Sequence, residues 1–131
     1  MRCFYLLYCL WVICCGFTEE NTKDLLYKIR EIKYRDPQMA LVLLDSLRQM
    51  EESNHFQRVP EFRIDIAQGQ IYQIMRLDQL AVRFWEKALQ ADSVRVRDAY
   101  FFTVLNGIVN VYYRMAEYEN ALEYCLLLLE R

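Results

Sequence analysis

Ala40-Leu-Val-Leu-Leu-Asp-Ser-Leu47, Ala81-Val-Arg-Phe-Trp-Glu-Lys-Ala-Leu89 and Ala121-Leu-Glu-Tyr-Cys-Leu-Leu-Leu-Leu129 decide the fold. Each opens an apolar stripe on an alanine, and the alanines stand 41 and 40 residues apart. A recurrence of this length marks stacked repeats, in which one repeat cannot bury its apolar face without a neighbour. Alanine at the landmark lets two helix backbones approach closely, and the larger residues one turn on fill the space beyond.

Helices predicted around these landmarks are joined by short connections. Residues Lys23 to Arg35 form the first, with Leu25, Leu26, Ile29 and Ile32 on its apolar side. Asp36-Pro37 starts the second, because Asp caps well and Pro at the first helical position loses no hydrogen bond. Its stripe is Ala40, Leu43, Leu44, Leu47 and Met50, the spacing of one helical face. Glu51 to Val59 reads as a polar loop. Pro60 opens the third helix, with Ile64, Ala67, Ile71, Tyr72 and Met75, and a join at Leu77-Asp78 forces an antiparallel partner. The fourth carries Ala81, Phe84, Trp85, Ala88 and Leu89. Asp92 or Ser93 is expected to cap one long fifth helix through Phe101, Leu105, Ile108, Val109, Tyr112 and Met115. A join at Ala116-Glu117 leads to the sixth, with Ala121, Tyr124, Cys125, Leu128 and Leu129. The expectation is an all-α chain of six helices in three hairpins, covering about residues 23–53, 60–91 and 94–131.

Composition agrees with this. The chain has 131 residues, enough for one domain, and 55% of them are apolar, which argues against disorder. With 3 Gly and 2 Pro it has little turn punctuation. Net charge is −2 and no basic run is evident, so nucleic acid is a poor direct partner.

The N-terminus stands apart. Arg2 is followed by an apolar run from Cys3 to Cys15. Such a run covers about 20 Å of a hydrocarbon core roughly 30 Å thick. A charged start, a short apolar stretch and small residues at its end read as a secretory signal over residues 1–16, cleaved near Gly16. In a second reading Cys15 is a lipid-bearing N-terminus, although Cys14 precedes it where lipoproteins usually have Gly, Ala or Ser. A buried helix or short anchor is the bland alternative. Removal of the signal leaves Cys125 alone, so no disulfide framework or CxxC metal site is expected.

The residues resemble the tetratricopeptide repeat (TPR) family. Gly69, Tyr72, Ala81, Trp85 and Ala88 fall on that family's Gly, Tyr, Ala, aromatic and Ala positions, and Ile108, Tyr112, Tyr118, Ala121 and Tyr124-Cys125 match similarly. The first hairpin matches through Asp36-Pro37, Ala40 and Leu44. The units are longer than the family's roughly 34 residues. Val109 and Ala116 stand where the family has Gly, and Asp78 where it has an aromatic residue. The resemblance implies a right-handed solenoid over 23–131 and a role in binding proteins or peptides. With the leader, it is similar to the start of bacterial envelope TPR proteins, some of which continue into signalling modules.

By the same resemblance, the concave face is built by the first helix of each hairpin. It would carry Arg63, Ile66, Gln70, Gln73 and Ile74, then Thr103, Asn106, Asn110, Tyr113 and Arg114. Independently of the family, Asn106, Asn110, Tyr113 and Arg114 share one side of a helix. Asn supplies donor and acceptor, and Arg grips a carboxylate in bidentate fashion. An ordinary solvated helix face is the plain alternative.

Catalytic parts are scarce: His55 is the single histidine, Cys125 lies on an apolar stripe, and no nucleophile or phosphate-loop motif occurs. No cofactor or metal is expected. Leu126, Leu127, Leu128 and Leu129 make the last helix apolar on every side. That surface suits a further hairpin, a homo-oligomer interface or a partner helix, of which continuation of the array is the favoured reading.

Overall fold

A computed structural model describes residues 3, 6, 24–53 and 59–131. The leader reading of residues 1–16, Cys15 and His55 therefore fall outside the described residues, apart from Cys3 and Leu6, which are helical and exposed. The described chain is all-helical, with no strand: α1 through residues 24–32, α2 (Pro37–Glu52), α3 (Glu61–Ile74), α4 (Asp78–Leu89), α5 (Asp92–Val96), α6 (Asp98–Arg114) and α7 (Tyr118–Leu129). No helix among the described residues is long and apolar enough to cross a membrane.

α2 starts as its sequence predicts. Asp36 Oδ1 accepts a hydrogen bond from the Met39 amide at 3.0 Å, with Pro37 in the first turn. The polar loop expected from Glu51 begins later, since Glu51 and Glu52 complete α2 and Glu51 is buried. Val59, assigned to that loop, is buried in the core.

The turns α3–α4 and α6–α7 are the same structure written twice. Leu77 N donates to Tyr72 O at 3.0 Å and Arg76 N to Gln73 O at 3.2 Å. Forty residues on, Glu117 N donates to Tyr112 O at 2.9 Å and Ala116 N to Tyr113 O at 3.0 Å. These bonds satisfy the last carbonyls of each helix and require one left-handed residue, here Arg76 (φ 63°) and Ala116 (φ 60°). The first join thus lies in Arg76-Leu77, and Asp78 already belongs to α4.

The single long fifth helix is corrected to two. Arg97 is extended (φ −96°, ψ 112°) and separates α5 from α6, and neither Asp92 nor Ser93 caps a helix. Two interactions hold the short α5 on the core. Val94 is fully buried, and Arg95 Nε donates to Leu89 O at 3.2 Å, occupying a carbonyl that the end of α4 leaves open.

Packing runs between neighbours along the chain: α2 on α3, α3 on α4, α4 on α6, α6 on α7. In addition α3 touches α6. One core cluster joins Ile29, Ala40, Leu44, Leu47, Val59, Ile64 and Ile71. A second joins Ile66, Ala81, Val82, Trp85, Ala88, Val94, Val104, Leu105, Ile108 and Val111. All three landmark alanines are buried. Val109, expected in the core stripe, is only half-buried, while Val104 and Val111 are fully buried beside Leu105 and Ile108.

Trp85 (2% exposed) lies between two glycines. A Cβ at Gly69 of α3 would stand 3.0 Å from its Cδ2, and one at Gly107 of α6 only 2.4 Å from its Cε2. Trp85 Nε1 donates to Gln73 Oε1 at 3.1 Å, which satisfies its one polar atom.

Asp65, 2% exposed, anchors a polar network across three helices. Its Oδ1 lies 3.2 Å from Arg48 of α2 and 3.4 Å from Lys87 of α4. Glu61 meets Lys87 at 2.9 Å and Arg48 at 3.6 Å. The hydrogen bond from Lys87 holds the Glu61 carboxyl below the usual carboxylate range. No buried side-chain polar atom among the described residues lacks a hydrogen-bond partner.

Candidate functional site

α1, α3 and α6 line a groove. Near the α3–α4 turn it is a cavity of about 430 Å³ bounded by Tyr34, Gln70, Gln73, Ile74, Arg76, Thr103, Asn106, Asn110 and Arg114, with Trp85 and Gly107 at its base. Toward α1 it continues as a space of about 600 Å³ bounded by Leu26, Tyr27, Ile29, Arg30, Lys33, Arg63, Ile66, Ala67 and Tyr100. Gln70 and Thr103 line both parts, so the two adjoin.

The concave-face residues read from sequence therefore gather here, with one exception. Gln70, Gln73, Ile74, Asn106, Asn110 and Arg114 border the first part, Arg63 and Ile66 the second, and Thr103 both. Tyr113 does not line the groove. It is 67% exposed, and its ring makes an edge contact with Tyr118 at 5.5 Å between centroids, drawn toward the α6–α7 turn.

Several of these side chains are already engaged. Gln73 Oε1 accepts from Trp85, and Thr103 Oγ1 donates to Ala99 O at 2.8 Å. Arg114 is paired with Asp78 through both Nε (2.9 Å) and Nη2, and Nη2 also donates to Gln73 O at 3.2 Å. This corrects the role read for Arg114: its guanidinium ties α6 to the start of α4 and is not a spare carboxylate grip. Asn106 and Asn110 are exposed, and no side-chain hydrogen bond joins either to another described residue.

No family model matches the chain, and no curated protein or solved structure does. What the groove does must therefore be argued from its own chemistry.

Sequence reasoning missed the contribution of α1. Arg30, Lys33 and Tyr34 enter the groove, and Tyr27 and Leu26 border it. Arg30 and Lys33, spaced i and i+3 in the first helix of a hairpin, were a readable signal. Lys33 Nζ donates to Gln70 Oε1 at 3.0 Å and lies over the Tyr34 ring. Burial pushes its ammonium below the ordinary lysine value, and the charge of Arg30 adds to that shift.

Two other candidates lie away from the groove. Tyr112 and Tyr124 stack with centroids 5.8 Å apart and both donate to Glu86 Oε1, at 2.6 and 3.0 Å. Tyr112 is thus occupied as a latch between α4, α6 and α7 and is not free to stack a ligand. On α7, Leu128 packs on the core, whereas Leu122, Leu126, Leu127 and Leu129 (81%) are exposed. Cys125 is half-buried with a free thiol.

Proposed function

We propose that the chain is a non-catalytic TPR-type module that holds an extended peptide or protein segment along α1, α3 and α6. In this reading α1–α2, α3–α4 and α6–α7 are three hairpins of a right-handed array, and α5 is an insertion that lengthens the middle unit. The observation that carries it is the row of amides in the groove, Gln70, Gln73, Asn106 and Asn110, of which the two asparagines make no side-chain hydrogen bond to another described residue. Amides on this spacing suit the alternating donors and acceptors of a peptide backbone. The repeated Schellman turns and the TPR-like residues around Ala81 and Ala121 support the same assignment. The leader-like residues 1–16 extend it to an exported scaffold of the bacterial cell envelope, freed by cleavage near Gly16 or anchored through Cys15, and serving as the sensory part of a larger regulator.

The test is peptide display against the folded chain, counter-selected with Asn106→Ala/Asn110→Ala. Peptides that bind the parent and not the variant, at equal helicity by circular dichroism, are expected. Equal binding to both would remove the groove assignment.

A second reading draws on the exposed leucines of α7. In it the chain self-assembles through that face, because contiguous apolar surface marks an interaction site. Light scattering should then show a dimer that Leu126→Glu with Leu129→Glu converts to a monomer. A monomeric parent excludes this reading.

A further inference from the structure

We propose that the groove selects an acidic segment, with its carboxylates received by Lys33 and Arg63 at the α1 end and by Arg76 at the other; this rests on the peptide-binding reading above. The first ground is charge placement. The protein is acidic overall, yet the groove lining carries Arg30, Lys33, Arg63, Arg76 and Arg114 and not one Asp or Glu.

The second ground is neutralisation. Away from the groove the cations divide: Arg48, Lys87 and Arg131 each find a carboxylate within 4 Å, whereas others, Arg83 and Arg97 among them, find none among the described residues; in the groove Arg114 is cancelled by Asp78. Arg30, Lys33, Arg63 and Arg76 meet no carboxylate at that distance among the described residues. Lys33 is the telling case. It is half-buried, its described hydrogen bond goes to a neutral amide oxygen, and its charged neighbour is Arg30. A cation drawn out of water without a counter-charge is an unfavourable arrangement, which an incoming carboxylate relieves.

A polynucleotide would also answer to cations. The groove favours a peptide because four carboxamides, Gln70, Gln73, Asn106 and Asn110, stand beside the cations, and because the net charge of −2 opposes a long polyanion.

The experiment is fluorescence anisotropy with the full chain and four labelled probes: an extended peptide bearing spaced Glu, the same peptide with Gln, the same with Lys, and a single-stranded oligothymidine. The Glu peptide should bind about tenfold or more tightly than the Gln peptide and weaken as salt rises. Lys33→Ala with Arg63→Ala should abolish that preference at unchanged helicity. Lys33→Glu with Arg63→Glu should turn it toward the Lys peptide. Equal binding of the Glu and Gln peptides, or tighter binding of oligothymidine, overturns the acidic assignment. If display-selected peptides are neutral, salt-insensitive and still lost in Asn106→Ala/Asn110→Ala, the acidic assignment alone falls. If no peptide of any charge binds, both fall.

Discussion

Gly107→Ala should destabilise the protein, against the ordinary effect of adding a helix-favouring residue. Gly107 lies inside α6 without positive φ, so backbone conformation does not demand glycine there. In such a position Ala normally gains about 1 kcal/mol over Gly. Here the new methyl would lie 2.4, 2.7 and 2.8 Å from Trp85 Cε2, Cζ2 and Cδ2. Ordinary carbon contacts are about 3.5–4.0 Å, so the ring or the helix has to yield by about 1 Å. The ring has little room to do so. Gly69 also stands close against Cδ2 and Cε2 of the ring, and Nε1 is tethered to Gln73 at 3.1 Å. Overpacking of this kind costs about 1–3 kcal/mol, and loss of the tether adds about 1. The net expectation, after the propensity gain of about 1 kcal/mol, is a loss of about 1–3 kcal/mol. Gly69→Ala is the internal control. Its methyl would stand 3.0–3.2 Å from the ring, a shortfall of a few tenths of an ångström that the propensity gain offsets, so little net change is expected. Urea unfolding followed by far-ultraviolet circular dichroism reads the difference directly. In a Trp85→Leu background the clash should vanish and leave only the propensity gain, giving a coupling of about 2–4 kcal/mol. If Gly107→Ala proves as stable as the parent, or more stable than Gly69→Ala, the wedged tryptophan is wrong.

Ala116→Gly should raise stability by about 0.5–1 kcal/mol, because the left-handed conformation at φ 60° disfavours a side chain; thermal melts check it, and a lower midpoint contradicts the turn assignment. Asp65→Asn keeps the shape and removes the charge that Arg48 and Lys87 share, and should cost about 2 kcal/mol in urea unfolding; a change below about 0.5 would mean the network is idle. Stability should also fall in alkali. Burial, reinforced by the hydrogen bond to Glu86, raises the Tyr112 phenol and pushes Tyr124 up to about 12. Above pH of about 10 the unfolded phenols release protons that the folded ones retain, so the stabilising contribution is present below pH 10 and is lost as pH rises toward 12. Phenolate absorbance should show these two tyrosines titrating late in the folded protein, and Glu86→Gln should bring them earlier.

Period and stripe made the helices legible because both depend on local spacing. Ala40, Ala81 and Ala121 are buried, and Asp36-Pro37 starts α2, as their positions alone imply. The break at Arg97 was not legible. Nothing in Asp92–Asp98 forbids a continuous helix, and the chain bends because Val94 is buried in the core and Arg95 finds a carbonyl on α4, both tertiary facts. The burial of Asp65 was not legible for a similar reason: it depends on Arg48 of α2 and Lys87 of α4 reaching the carboxylate from other helices. In the groove, α6 was legible through its polar stripe, and α3 through the family resemblance. Arg114 has the right position but is neutralised by Asp78 from the next helix, and the α1 side was overlooked because the first hairpin carries the fewest landmark residues.

The two glycines link the fold to the groove. Trp85 reaches the groove base only because Gly69 and Gly107 leave room for its ring between α3 and α6. Gln73, which accepts from Trp85 through its side chain and from Arg114 through its carbonyl, is fixed from both sides. Arg114 in turn binds Asp78, so the α3–α4 turn, the start of α4 and the middle of the groove are set by one connected group of contacts. The described contacts at the α1 end are looser: Lys33 is held by Gln70 and stands beside Arg30, and Arg63 has no ion pair among the described residues. Under the peptide-binding proposal, the fixed Gln73 would set the register of a bound backbone with little entropy left to lose, and the unpaired cations Lys33 and Arg63 would supply the charge selection.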